Sequence, residues 1–336
     1  MAEEEFVAKI AVVGAGGQGS NLVNKLYNRG IKSATTIAVN TDAKHLNMIN
    51  ADKKILIGKE ITKGLGAGGF PEVAAKAADA SRNEIIEAIS GYDMIFLCAG
   101  MGGGTGTGSA PVIAQIAREQ GSLVVAFVTY PFSLERIRKQ KADWGLQQLY
   151  KNADTTIVLE NDRILSYAPN LQIEKAFDLI DNVAMSAVKG ISDTIMLPSL
   201  INLDFADVRS TLRDAGTAVI NLGYGSGNEK VEKAIKSTIT HPMLDVDYEG
   251  AKGAMVHVAG GLSLSIDEAT KVGSGVTEGL DEKANVIFGA RLVPEMRDEI
   301  RVMSIVTGVT PRFGTAKYAP ATSSANLDFL KGIESV

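Results

Sequence analysis

The stretch Ala99-Gly100-Met101-Gly102-Gly103-Gly104-Thr105-Gly106-Thr107-Gly108 constrains the fold of this chain more than any other. Six of its ten residues are Gly, and two of the others are Thr. A strand-like apolar run, Asp93-Met94-Ile95-Phe96-Leu97-Cys98, leads into it, and a helix-like run over 110–119 follows. A Gly-rich turn between strand and helix lets backbone N–H groups approach a ligand with no Cβ in the way. The next helix aims its unpaired N–H groups and positive dipole end at the same place. The Thr105 and Thr107 hydroxyls add donors for oxygen anions. A flexible linker would not be bounded on both sides by elements that need burial, so the loop reads as a phosphate site.

The strand–turn–helix unit recurs along the first half. Residues 10–13, 36–39, 54–57, 93–98, 122–129 and 155–159 read as short buried strands. Residues 21–29, 71–90, 110–119 and 133–149 read as helices between them. This alternation predicts a Rossmann-like α/β fold, a parallel sheet covered on both faces. Ligands bind such sheets at the carboxyl ends of the strands, where the Gly loops fall. Further on, Leu171, Ile173, Ala176, Phe177, Ile180, Val183, Ala184, Ala187 and Val188 recur at helical steps. The apolar surface is wider than one stripe, which predicts a long central helix packed between two domains. Strands at 217–222, 253–258, 285–292 and 301–309, with helices at 229–239 and 266–280, predict a smaller α+β domain. The expected division is a nucleotide-binding domain over 1–170, the central helix and connection over 171–197, the α+β domain over 198–312, and a short linker and tail over 313–336.

Composition excludes several classes. A net charge of −5 and a pI near 5.4 argue against nucleic acid as a partner, which needs a basic footprint. Cys98 is the single cysteine, so no intramolecular disulfide can form, as suits a reducing cytoplasm. The start Met1-Ala2-Glu3-Glu4-Glu5 has the wrong charge for a signal peptide. No apolar run is long enough for direct membrane insertion. His45, His241 and His257, with one Cys, offer no metal-ligand spacing.

Near the start, Gly14-Ala15-Gly16-Gly17-Gln18-Gly19 matches G-x-G-x-x-G after a strand, and Asp42 follows the second strand. Taken alone these favour an NAD-dependent oxidoreductase. A dinucleotide site leaves two Gly clusters unexplained, the loop at 102–108 and Gly64-Leu65-Gly66-Ala67-Gly68-Gly69. With Asn40-Thr41-Asp42, all three clusters could ring a polyphosphate. The Walker loop is absent, since Gly58-Lys59 is followed by Glu60 rather than Ser or Thr.

The loop at 102–108, with Asn40-Thr41-Asp42-Ala43, Gly64-Leu65-Gly66-Ala67-Gly68, Pro131-Phe132, Asn161-Asp162 and Ile201-Asn202-Leu203-Asp204-Phe205-Ala206-Asp207-Val208-Arg209, resembles the tubulin/FtsZ superfamily of GTPases. The resemblance is to its prokaryotic cell-division branch and runs over about 9–308. It implies a site for GTP/GDP with Mg2+. Gly16, Gly17 and Gln18 would lie in the first phosphate loop, and Gly102, Gly103, Gly104, Thr105, Gly106, Thr107 and Gly108 in the main cradle. Gly66, Ala67 and Gly68 would approach the γ-phosphate, beside Asn40 and Asp42. Pro131, Glu135 and Arg138 match contacts to ribose and phosphates. Asn21, Asn161, Phe177 and Asp181 match the guanine pocket. By the residues alone, Phe177 also fits the core stripe of its helix and Asn161 a turn after a strand. No metal ligand is assigned; Asp42 and water are the candidates.

Asp204 and Asp207 have two readings. Their spacing suits a helix cap with a capping box. The resemblance implies instead that Asn202, Asp204 and Asp207 polarise the attacking water on the GTP of a neighbouring copy, in a head-to-tail filament. A nucleotide-binding filament or cell-shape homologue with little hydrolysis is the alternative. Ser20, Phe70, Arg136 and a 131–138 segment one residue short depart from the bacterial pattern and look more archaeal. Leu327-Asp328-Phe329-Leu330-Lys331-Gly332-Ile333 resembles the family's tail peptide, which binds division-machinery and membrane-anchor proteins. The expected location is the cytoplasm, at the mid-cell division site.

Overall fold

The structure is a computed structural model and describes residues 8–163, 172–197, 199–201, 203–240, 246–248 and 250–311. The tail segment read above lies outside the described residues.

Six parallel strands carry the first half: β1 (Ile10–Ala15), β2 (Thr35–Asn40), β3 (Lys53–Leu56), β4 (Met94–Gly100), β5 (Leu123–Tyr130) and β6 (Thr155–Glu160). Between them run α1 (Gly16–Asn28), α2 (Ala43–Met48), α3 (Lys59–Thr62), α4 (Pro71–Ala80), α5 (Arg82–Ile89), α6 (Thr105–Glu119) and α7 (Arg136–Asn152). The central helix is α8 (Ile173–Met196). Then come α9 (Phe205–Leu212), β7 (Gly216–Ser226), α10 (Lys230–Thr240), β8 (Val246–Asp247), β9 (Gly253–Gly260), α11 (Ile266–Thr277), β10 (Asn285–Leu292), β11 (Glu299–Thr307) and β12 (Thr310–Pro311).

The later strands extend the same sheet rather than building one of their own. Its order is β10-β9-β11-β7-β6-β5-β4-β1-β2-β3, ten strands in which β11 alone runs antiparallel to its neighbours. The two halves join where β6 pairs with β7 over three residues, Thr155–Gly216, Thr156–Thr217 and Ile157–Ala218. Short β8 and β12 pair separately.

Alternation along the strands divides the interior in two. Met94, Phe96 and Cys98 pack on one face of the sheet with Ile180, Val183, Ala187 and Val188 of α8. Ile95, Leu97 and Ala99 pack on the other with Ile113, Ala114 and Ala117 of α6. Burial on both faces is why these strands read as continuous apolar runs.

Three helices differ from expectation, the first being α1, expected from 21, which begins at Gly16 within the first Gly loop. The helix expected over 71–90 breaks at Ser81, whose hydroxyl accepts from Gly58 N–H at 3.0 Å. The helix expected from 110 begins at Thr105, so the second half of the Gly/Thr loop is its first turn.

Helix α8 sets the long dimension of the site. Its 24 residues span about 36 Å at 1.5 Å per residue. Asp181, near its start, faces Cys98 and Gly19 at the carboxyl ends of β4 and β1. Near its end, Ser192 Oγ lies 2.8 Å from Ser33 Oγ, just before β2, and Met196 borders Ile10 and Thr35. The helix thus runs from the carboxyl ends of the strands to their amino ends.

Candidate functional site

The three Gly clusters converge at the carboxyl ends of β1, β2 and β4. Some of their glycines serve packing. A Cβ on Gly19 would stand 2.2 Å from Cys98 O, and one on Gly106 2.7 Å from Gly100 O. One on Gly104 would stand 2.9 Å from Phe70 N, so the second and third clusters touch. Gly17 and Gly103 are different, because a Cβ there would meet nothing within 4 Å. Their open backbone faces, above the N-termini of α1 and α6, are what an anion needs. Neither helix has a side-chain cap to occupy its first N–H groups.

The rim is tied by backbone and side-chain bonds. Gly66 N–H donates to Thr41 O at 3.1 Å, and Ala43 N–H to Gly64 O at 2.9 Å. Gly66 and Gly68 have φ of +85° and +61°, which a side chain would strain. Ala67 is buried against them. Thr41 Oγ1 and Thr105 Oγ1 are 2.7 Å apart. Lys141 Nζ donates to Gly69 O at 2.6 Å and lies 5.7 Å from the centre of the Phe70 ring.

Several expected ligands have structural duties. Thr107 is fully buried, and its hydroxyl accepts from Gly102 N–H at 2.9 Å. The hydroxyl thus has the loop's own backbone as a partner. Gly108 is pressed against α4, where a Cβ would stand 1.9 Å from Pro71 O. Asn40 Oδ1 accepts from the amides of Thr41 and Asp42, and Asp42 caps α2 by accepting from His45 N–H. Gln18 Oε1 accepts from Thr129 Oγ1 at 2.9 Å. Glu135 accepts from Phe132 N–H and from Arg138 Nη1, the latter at 2.6 Å, and Pro131 is buried beside them.

On the α8 side, Asn21, Asn24, Lys25, Phe177, Asp178 and Asp181 line an open cavity of about 540 Å³. Phe177 does not join the core. It is 42% exposed and meets Phe132 edge-on, centroids 5.8 Å apart, leaving a face for a planar base. Asp181 is buried, and Lys25 Nζ lies 2.6 Å from its Oδ2. Burial raises the Asp181 pKa, and Lys25 opposes that rise. Asn161 is buried, and its Oδ1 has no partner among the described residues, a polar atom that a ligand would satisfy. His45 is a site neighbour that sequence reasoning missed. Its ring bridges Asn40 Nδ2 at 3.2 Å and Asn21 Oδ1 at 3.1 Å. No spacing in the chain signals that link.

The acid loop is elsewhere. Asn202 lies outside the described residues. Asp204 caps α9, accepting from Ala206 N–H at 2.9 Å. The reciprocal bond of a capping box, from Asp204 N–H to the Asp207 carboxyl, is absent among the described residues. Leu212, at the end of α9, accepts from the Thr155 hydroxyl at the amino end of β6. Together with the far end of α8, this places the acid loop at the opposite end of the molecule from the Gly clusters.

Comparison with known proteins gives the same outline. Residues 9–169 match the Tubulin/FtsZ family, GTPase domain, and residues 216–310 the FtsZ family, C-terminal domain. The cell division protein FtsZ 2 of Methanocaldococcus jannaschii is 51% identical over 91% of this chain and 82% of its own length. The cell division protein FtsZ 1 of Pyrococcus horikoshii is 48% identical over 93% and 84%. A structure of an empty FtsZ dimer from M. jannaschii superposes with a TM-score of 0.87 at 40% identity, covering 95% of this chain and 96% of that one. CetZ2 from Haloferax volcanii, at 22% identity and a TM-score of 0.77 over 90% and 93%, shares the fold.

Proposed function

From the membership of this chain in the tubulin/FtsZ family of GTPases, within its cell-division FtsZ branch, we propose that it hydrolyses GTP at a site completed only between two copies. Membership makes it a self-associating GTPase of cell division that binds GTP and GDP. It leaves the NAD-dependent oxidoreductase reading of the first Gly loop without support.

The observation that carries the proposal is the separation along α8. Phe177 and Asp181 are at one end, and Asp204 and Asp207 follow the other. No single chain brings these acids to its own Gly clusters. In a head-to-tail stack, the acid loop of one copy meets the nucleotide face of the next, and an interface of that kind repeats into a filament.

In this reading Gly17, Gly103 and the first N–H groups of α1 and α6 hold the phosphates. Phe177 packs on the base, Asp181 accepts from its N1–H and N2–H2, and Asn161 gains its missing partner. Asp204 and Asp207 of the adjoining copy orient a water for in-line attack on the γ-phosphorus. The bond to the oxygen bridging the β-phosphate breaks, GDP keeps that oxygen, and the acid loop takes the water's proton. Magnesium, when bound with the nucleotide, would offset phosphate charge. Among the described residues no group of three or more His, Cys, Asp or Glu is placed to hold a metal ion, and Asp42 and water remain the candidates read from the sequence. Among those residues, too, no helix is long and apolar enough to cross a membrane. A cytoplasmic protein at the division site, tethered through its tail to anchor proteins, fits this reading.

The test is GTP turnover per molecule against protein concentration, with magnesium and an ATP control. A rate that climbs from near zero above a threshold, with GTP only, supports the shared site. A rate per molecule independent of concentration overturns it.

A further inference from the structure

The base end of the cavity holds a charge arrangement that goes beyond recognition by Asp181 itself. Asp178 and Asp181 lie three residues apart on one face of α8. Lys25, from α1, bonds both, at 2.7 Å to Asp178 Oδ1 and 2.6 Å to Asp181 Oδ2. Among the described residues, Lys25 is the cation that bonds Asp181. From β4, the Cys98 thiol is held protonated by burial and by the Asp181 carboxylate. One turn further along α1, Arg29 Nη2 bonds Asn182 Oδ1 at 3.0 Å. The Asp181 side chain is 10% exposed, whereas the Asp178 side chain is 61% exposed. Burial and a like-charged neighbour both disfavour an ionised Asp181, and Lys25 opposes them.

Ionisation of that carboxyl decides which purine it fits. Guanine presents two adjacent donors, N1–H and N2–H2, and an ionised carboxylate only accepts. A protonated carboxyl donates from one oxygen and accepts at the other. That pattern suits adenine's N1 and N6–H2 and leaves guanine's N2–H2 poorly met.

We propose that Lys25 is the specificity-determining residue of the nucleotide site: by pairing with Asp181 it keeps that carboxyl an obligate acceptor, and so maintains the choice of guanine. The proposal rests on the reading of Asp181 as the guanine acceptor. Lys25 acts through Asp181 and is a positioning residue.

The probes are GDP, IDP (which lacks the N2 amino group) and ADP, titrated calorimetrically against the full chain at pH 8 and pH 6. The unmodified protein is expected to prefer GDP over IDP equally at both. Lys25→Met keeps that preference at pH 8 and loses about tenfold of it at pH 6, with ADP binding strengthening as the pH falls. Lys25→Arg restores the unmodified pattern. Lys25→Gln stands in for the Met variant if that chain fails to fold. A preference unchanged by Lys25→Met at both pH values overturns the proposal. So does an equal weakening of GDP and IDP, which would mark a contact to O6 or a structural role. Asp181→Asn reports on the underlying reading. It should lose the GDP preference at both pH values, and if it does not, the assignment of Asp181 fails, independently of Lys25.

Discussion

At the scale of single residues, Asp204 and Asp207 look alike in sequence and differ in structure. Asp204 caps α9 with its side chain, and Asp207 makes no such bond. Asp207→Ala should therefore leave melting temperature and GTP affinity unchanged while slowing turnover on the order of 100-fold, the low end for losing a general base. Asp204→Ala should slow turnover too, and also lower stability by about 1 kcal/mol through the lost cap. Thermal melts beside GTPase assays separate the two. His257 on β9 gives a pH signature of its own. It is buried, its Nε2 meets no partner among the described residues, and burial with nearby Arg291 pushes its pKa down to about 4 from 6.5. Between those values the unfolded chain holds a proton that the native chain lacks. Stability is full above pH 6.5 and declines as the pH falls toward 4, by roughly 3 kcal/mol in all. Denaturant titrations across that range should show the slope, and His257→Asn should flatten it.

At the scale of elements, the Gly clusters separate into glycines for packing and glycines for the ligand. Gly108→Ala would drive a methyl into Pro71 O where α4 and α6 cross, and should cost at least about 3 kcal/mol, at the upper end for overpacking. Gly103→Ala meets nothing within 4 Å, and should leave stability within about 0.5 kcal/mol. On the proposed phosphate position it should still weaken GTP binding tenfold or more, read by nucleotide titration, because the methyl would occupy the open backbone face. The sequence shows how dense the glycines are, and not this division of labour, since the distances that assign it come from loops far apart in the chain. Thr107, whose side chain lies against Gly145 of α7, is buried by a contact equally distant in the chain. The strands were easier, because burial on both faces leaves unbroken apolar runs whatever the tertiary detail. The start of α6 at Thr105 was hidden, since Gly carries little helical preference and the turn is held by its neighbours. Ser81 reads as an ordinary helical residue until Gly58 is seen to need its hydroxyl.

At the scale of the molecule, the two proposed half-sites sit at opposite ends of α8, so the proposal predicts that they can be damaged separately and recombined. Asp207→Ala keeps an intact nucleotide face, and Gly103→Ala keeps an intact acid loop. At a GTP concentration that leaves the Gly103→Ala site mostly empty, each alone should turn over slowly, and an equimolar mixture should regain a substantial part of the turnover, since one variant binds GTP and the other supplies Asp207. No recovery would mean that both halves act within one chain. Architecture at this scale was legible in the order of strands and helices; the joining of both halves into one sheet was not, because it depends on which strand edges are left free to pair. That join is also the narrowest pairing of the ten-stranded sheet among the described residues, three residue pairs against four or more at every other junction. In mechanical terms each subunit is two stiff plates on a short flexure, with α8 as a strut alongside. A filament of such units is a row of springs in series, and an applied bend is shared between the contacts joining subunits and a compliant line running through the middle of each one.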